Sequence, residues 1–195
     1  MAKAPVKQTR PRDAEMTQAR ILDAAQIVFS QHGYGSSGVR DIAQLADVNP
    51  ALVSRYFGGK EALFEKALEK TLNISPMMSV PLDRFGENLM RELHDDDANS
   101  VRSAAMFALS IGDPQAREIS VELMRKKIIE PLAEAFASDD DSAGARARIV
   151  AILSLGYTVM RILVPMQEDE ADQDAFVSKW LGEVLQDMAK PPQKS

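Results

Sequence analysis

Cysteine is absent from all 195 residues, which excludes disulfides, thiolate metal centres and thiol redox chemistry. Histidine occurs only at His32 and His94, far apart and without metal-ligand spacing or a neighbouring nucleophile motif, so nothing points to an enzyme or a cofactor. Aromatic residues make up 6% of the chain and β-branched runs are short; the recurring Ala, Leu, Glu, Met and Arg predict helices throughout. No apolar run reaches the roughly 18 residues that cross a bilayer. The N-terminus lacks the apolar segment of a secretory signal, and the expected location is the cytoplasm. Acidic triplets at 95–97 and 139–141 fall at breaks in the pattern and read as solvated loops.

What the chain does have is concentrated in residues 17–68. Ile21, Leu22, Ala25, Val28 and Phe29 recur at helical spacing, and Gly33, Gly35 and Gly38 then interrupt them, so one helix ends near His32. A short helix follows, with Ser37 as its expected N-cap and Val39, Ile42, Ala43 and Leu45 facing inward. Asp47 to Asn49 form a turn. Asn49 caps the next helix, Pro50 fits its first turn, Val53 and Phe57 face inward, and Ala51, Ser54 and Arg55 are left outside. Two short helices joined by such a turn, here over about 38–57, make a helix-turn-helix whose second helix fits the major groove. Gly58 and Gly59 stop that helix, and Lys60 opens a longer one whose free N–H groups suit a phosphate.

The series ILDAA, VF, HGY, VRDIA, RYF and GKEALF, in that order, resembles the TetR/AcrR family of transcriptional regulators over the N-terminal third of the chain. The resemblance implies an all-α fold, with a three-helix DNA-binding domain followed by a helical effector-binding and dimerisation domain. Arg40 matches a position from which family members reach a guanine, and an arginine can pair bidentately with guanine O6 and N7. Tyr56 and Lys60 match phosphate anchors; Ser37, Asn49 and Arg55 are further backbone contacts, and Pro50 and Ala51 match groove-facing positions where a thymine methyl is met. Two residues depart from the pattern. Asp47 stands where a turn glycine is usual, and Ser54, also a DNA-contact candidate, stands where an aromatic ring usually packs on the backbone.

Charge divides along the chain. Residues 1–60 hold eight Lys/Arg and five Asp/Glu, the remainder fifteen and twenty-four, so a basic head sits on an acidic body within a net charge of -6. The sequence therefore reads as a flexible basic arm over 1–14, a DNA-binding head over 15–62 and a body over 63–195. In the body, Asp113-Pro114 opens a long helix toward Phe136 with a kink expected at Pro131. The stretch from about Ala145 to Val164 is apolar around its whole circumference and must be buried on most sides; Pro165 ends it. A final amphipathic helix carries Phe176, Val177, Trp180, Leu181, Val184, Leu185 and Met188. Two copies of these last helices, packed about a two-fold axis, would cover them as a homodimer.

The resemblance also implies a ligand chamber in the middle helices. Its candidate lining is Met77, Met78, Phe85, Leu89, Met106, Phe107, Ser110, Met124, Tyr157 and Arg161, the last needing a carboxylate or an acidic ligand as partner. The expected partners are thus an operator duplex, a second copy and a small-molecule effector that draws the dimer off DNA through the helix from Lys60 to Ile74. The alternative is a helical sensor or adaptor without specific DNA binding.

Overall fold

The computed structural model describes residues 11–78, 81–94, 98–138, 141–164 and 171–190, and every regular element among them is helical. The arm over 1–10, the acidic triplet at 95–97, Asp139, Asp140, Pro165 and the Met77 side chain lie outside the described residues.

Helix α1 (Pro11–Ser36) starts at Pro11, whose missing N–H costs nothing in a first turn, so residues 11–14 join the helix and not the arm. Gly33, at φ 71°, breaks it just past His32. Helix α2 (Val39–Leu45) is capped by Asp41, whose carboxylate accepts from the Gly38 N–H at 3.0 Å. The expected Ser37 cap is not formed, because the Ser37 hydroxyl is buried and donates back to the Gly33 carbonyl. The inward stripe of α2 is Val39, Ile42, Ala43 and Ala46. Leu45 falls about a third of a turn off that stripe and is 51% exposed, contrary to expectation.

Helix α3 (Pro50–Phe57) has the expected Asn49 cap, with Oδ1 accepting from the Ala51 N–H at 2.9 Å, and it stops at Gly58 with φ 84°. Helix α4 (Lys60–Thr71) closes the head, ending three residues before Ile74.

Packing does not divide at residues 62–63. Phe29, Phe64 and Tyr34 form an aromatic cluster with centroids 5.1–6.1 Å apart, and this core continues into Met106, Phe107, Ala116 and Leu123 from the body. Those four come from α7 (Ala98–Ser110) and α8 (Pro114–Met124), which follow α5 (Ser75–Met78) and α6 (Phe85–His94). Asp113 caps α8, accepting from the Gln115 and Ala116 N–H groups at 3.0 Å.

Ahead of Pro131, where a kink is expected, the helix widens into a π-helical turn over Arg125–Ile129, leading into α9 (Glu130–Ala135). Proline offers no N–H to the carbonyl four residues back, and the wider turn absorbs that loss.

A second core joins α6, α9, α10 (Ala143–Leu163) and α11 (Ala171–Met188) through Phe85, Leu132, Phe136, Val150, Leu181 and Leu185. Arg146, which carries no family motif, is 6% exposed and ties this core together. Its guanidinium donates to the carbonyls of Phe136 (2.6 Å), Met188 (3.0 Å) and Lys190 (3.1 Å), at the partly negative ends of α9 and α11.

The described residues of the single chain leave one side of α10 uncovered, the side for which the sequence called on a second copy. Ile152, Met160, Leu163 and Val164 on α10 and its end, with Phe176 and Trp180 on α11, are each more than half exposed.

Candidate nucleic-acid interface and ligand chamber

The apolar side of α3 is spent on Val53, which is fully buried, and this turns Pro50, Ala51, Ser54 and Arg55 outward along one face of about 140°. Arg40 is exposed on α2 and Asn49 is exposed at the start of α3. Tyr56 is half-buried, with the Arg55 guanidinium 6.0 Å from its ring centroid. Ser37 leaves the candidate set, since its hydroxyl is turned into the core and no phosphate reaches it there. Asp47 takes the glycine conformation the turn requires, at φ 51°.

Lys60 stands in the first turn of α4, whose N-cap Gly59 supplies no side-chain acceptor, so the first N–H groups of α4 have no side-chain cap. Its ammonium lies 4.2 Å from the centroid of the Tyr34 ring. The Tyr34 hydroxyl donates to Gln115 Oε1 at 2.9 Å, and Gln115 Nε2 donates to Glu61 Oε2 at 2.6 Å. Burial, then the negative charges of Glu61 and Asp113, push the Tyr34 phenol above its ordinary pKa and keep it a donor. The HGY and GKE motifs contain Tyr34 and Glu61, but nothing local marks Gln115, which meets Tyr34 across 81 positions.

A cavity of about 310 Å³ opens between the end of α4, α6, α7, α8 with its π turn, and α10. Of the expected lining, Leu89, Phe107 and Met124 face it, beside Leu93, Ile128, Leu132, Val150 and Leu155. Phe85 does not, being stacked edge-on against Phe136 at 5.2 Å inside the second core. Met106 is locked in the first core, Ser110 is buried with its hydroxyl on the Phe107 carbonyl at 2.7 Å, and Met78 packs on the second core.

Tyr157 and Arg161 belong instead to a polar chain at the α6–α10–α11 junction. His94 Nε2 lies 2.9 Å from Asp174 Oδ2, the Tyr157 hydroxyl lies 3.1 Å from His94 Nδ1, and Arg161 donates to the Leu93 carbonyl at 2.7 Å. Burial, followed by the nearby Asp174 charge, pushes the Tyr157 phenol up to about 12. Sequence reasoning missed the polar part of the cavity lining, which includes Lys70, Asn73, Glu92, Ser103 and Ser154. Glu92 has no partner among the described residues, and the buried Ser154 hydroxyl makes no hydrogen bond there. A lone carboxylate on an amphipathic helix, or a lone serine within an apolar one, carries no signal that distinguishes a cavity wall from solvent.

A short helix held by its apolar side over a second helix, with its other face free and a lysine at the next helix start, defines a helix-turn-helix DNA-binding protein. Residues 21–67 match the family model described as bacterial regulatory proteins, tetR family, and residues 83–188 match the tetracyclin repressor-like C-terminal domain. The chain belongs to the TetR family of transcriptional regulators, a family of DNA-binding regulators and not of enzymes.

Among curated relatives, the HTH-type transcriptional repressor SCO4008 of Streptomyces coelicolor is 40% identical over 72 residues, which is 37% of this chain and 37% of that protein. The match to this relative thus spans well under half of its length. The HTH-type transcriptional repressor Rv3405c of Mycobacterium tuberculosis is 26% identical over 167 residues, 80% of this chain and 78% of that one. NalD of Pseudomonas aeruginosa, described as the secondary repressor of the MexAB-OprM multidrug efflux pump, shares the fold with a TM-score of 0.67 at 20% identity, over 89% of this chain and 95% of its own. No helix among the described residues is long and apolar enough to cross a membrane.

Proposed function

We propose that this protein represses transcription by binding a pseudo-palindromic operator as a homodimer, and that a small molecule in the body releases it. The observation that carries the reading is the free face of α3, with exposed Arg40 beside it on α2 and Lys60 at the uncapped start of α4. Arg40 supplies base readout; Lys60, Tyr56, Asn49, Arg55 and Ser54 supply backbone contacts, with Pro50 and Ala51 against the groove floor. The relatives named as repressors support the direction of control.

The dimer is supported by the bare apolar face of α10 and α11, which a second copy of the same face covers about a two-fold axis. Two heads then engage two half-sites, and the second binding event proceeds at high effective concentration. The cavity favours a compact effector that combines apolar surface with hydrogen-bonding groups, because its walls mix aliphatic side chains with polar ones that include the Glu92 carboxylate and the Ser154 hydroxyl, neither of them paired among the described residues. An effector that binds the conformer with its heads out of register draws the dimer off its operator, through α4, which is shared between head and body.

The test begins with a duplex enriched from a random pool by the unmodified protein. Arg40→Ala weakens binding to that duplex by about 1–3 kcal/mol and relaxes the preference at one position per half-site. Lys60→Ala weakens binding to all sequences alike and lowers the salt slope by about one per head. Equal losses for Arg40→Ala on selected and random duplexes would remove it as a base reader, and failure to enrich any sequence would favour the sensor or adaptor reading.

A further inference from the structure

We propose that Gln115 is a positioning residue for the phosphate grip of Lys60, holding the DNA-facing start of α4 from the body side. This role presupposes that Lys60 meets a phosphate, as proposed above. Three elements meet at the Gln115 carboxamide: Tyr34 from the end of α1, Glu61 from the first turn of α4, and Gln115 itself from the first turn of α8. The backbone of Gln115 is fixed by the Asp113 cap, so the bridge is anchored in the body. The turn at Gly33 and Gly35 approaches this corner closely; a Cβ on either would sit 3.4 Å from Leu109 or Asp113.

The carboxamide does two things for Lys60. Its oxygen accepts from the Tyr34 hydroxyl and so fixes a ring, already packed edge-on against Phe64 at 5.2 Å, whose face seats the Lys60 ammonium at 4.2 Å. A lysine seated before DNA arrives loses less freedom on binding. Its nitrogen donates to Glu61 and draws that carboxylate toward the body. A first-turn carboxylate left free would compete with an incoming phosphate for the Lys60 ammonium. A carboxamide accepts from a phenol and donates to a carboxylate at once; a glutamate carboxylate in its place would offer acceptors to both, and a leucine nothing.

The experiment measures equilibrium binding of the enriched duplex across salt concentrations for Gln115→Leu, Lys60→Ala and the double variant, with melting curves for each protein. Gln115→Leu is expected to weaken binding about three- to tenfold, the equivalent of one hydrogen bond. It should also flatten the salt slope in the same sense as Lys60→Ala. The double variant should bind no worse than Lys60→Ala alone, since both changes act through one contact.

Tyr34→Phe, which removes a single hydroxyl, should give a smaller loss in the same direction and keeps the question open to test if Gln115→Leu folds poorly. Additive losses in the double variant, or an unchanged salt slope for both Gln115→Leu and Tyr34→Phe, would overturn the role while leaving Lys60 as a phosphate contact. An unchanged slope for Lys60→Ala would overturn both.

Discussion

Asp47 holds the turn between α2 and α3 at φ 51°, a conformation that costs an L-residue free energy and a glycine almost none. Aspartate tolerates it better than most, which is how the turn survives without the glycine its position usually has. Asp47→Gly should therefore raise the stability of the folded chain by about 0.5–1 kcal/mol. Asp47→Ala should not, and denaturant titration of the two variants checks the difference.

Arg146 works in the opposite sense, as a charged group buried for its hydrogen bonds. Its three carbonyl acceptors lie where α9 and α11 end. Arg146→Met keeps the volume and removes the donors; about 3 kcal/mol of stability should be lost, because bonds to a charged group vanish and buried carbonyls go unpaired. Thermal or urea unfolding reads it directly.

Between elements, distance of approach decides. Helices α6 and α11 cross where Gly86 meets Gly182: a Cβ on Gly86 would lie 2.0 Å from the Gly182 carbonyl oxygen and 2.8 Å from the Gln186 nitrogen, so the obstruction is backbone. Gln186 fastens the crossing from both ends, accepting from the Gly86 N–H at 3.0 Å and donating to the Leu82 carbonyl at 2.7 Å. Gly86→Ala should force the helices apart and cost about 3 kcal/mol. Gly182→Ala should cost less, since its Cβ meets the flexible Met90 side chain at 3.3 Å. Ranking the two variants by melting temperature tests the geometry.

On the scale of the whole molecule, the apolar face of α10 and α11 has no cover among the described residues of one chain. Trp180, 57% exposed, is the largest side chain on it. Trp180→Glu should convert a dimer to a monomer in light scattering coupled to gel filtration, and operator binding should fall with it, because a single head makes too few phosphate contacts at physiological salt. A dimer that persists in this variant would place the two-fold axis elsewhere.

The sequence by itself determined the helical class, the three-helix head, the Asn49 and Asp113 caps, the stop at Gly58, the break near His32 and the disturbance before Pro131. All of these follow from chemistry within a few residues: caps, periodicity, a missing N–H, a left-handed glycine. It also placed Ala51, Ser54 and Arg55 outside, because a helix that buries Val53 has no choice about its far side.

Only the tertiary structure decided the rest. Ser37 turned inward because the Gly33 carbonyl, freed at the helix break, needed a donor more than α2 needed a cap. Met106 and Phe85 proved to be core and not cavity wall, since apolar side chains at helical spacing look the same in either place until the neighbouring helices are known. Gln115, Arg146 and the Asp174, His94 and Tyr157 chain make contacts that reach across 42 to 81 positions, Arg146 to Met188 the shortest of these and Gln115 to Tyr34 the longest, and contacts of that range are set by how helices pack and leave no mark on the local sequence.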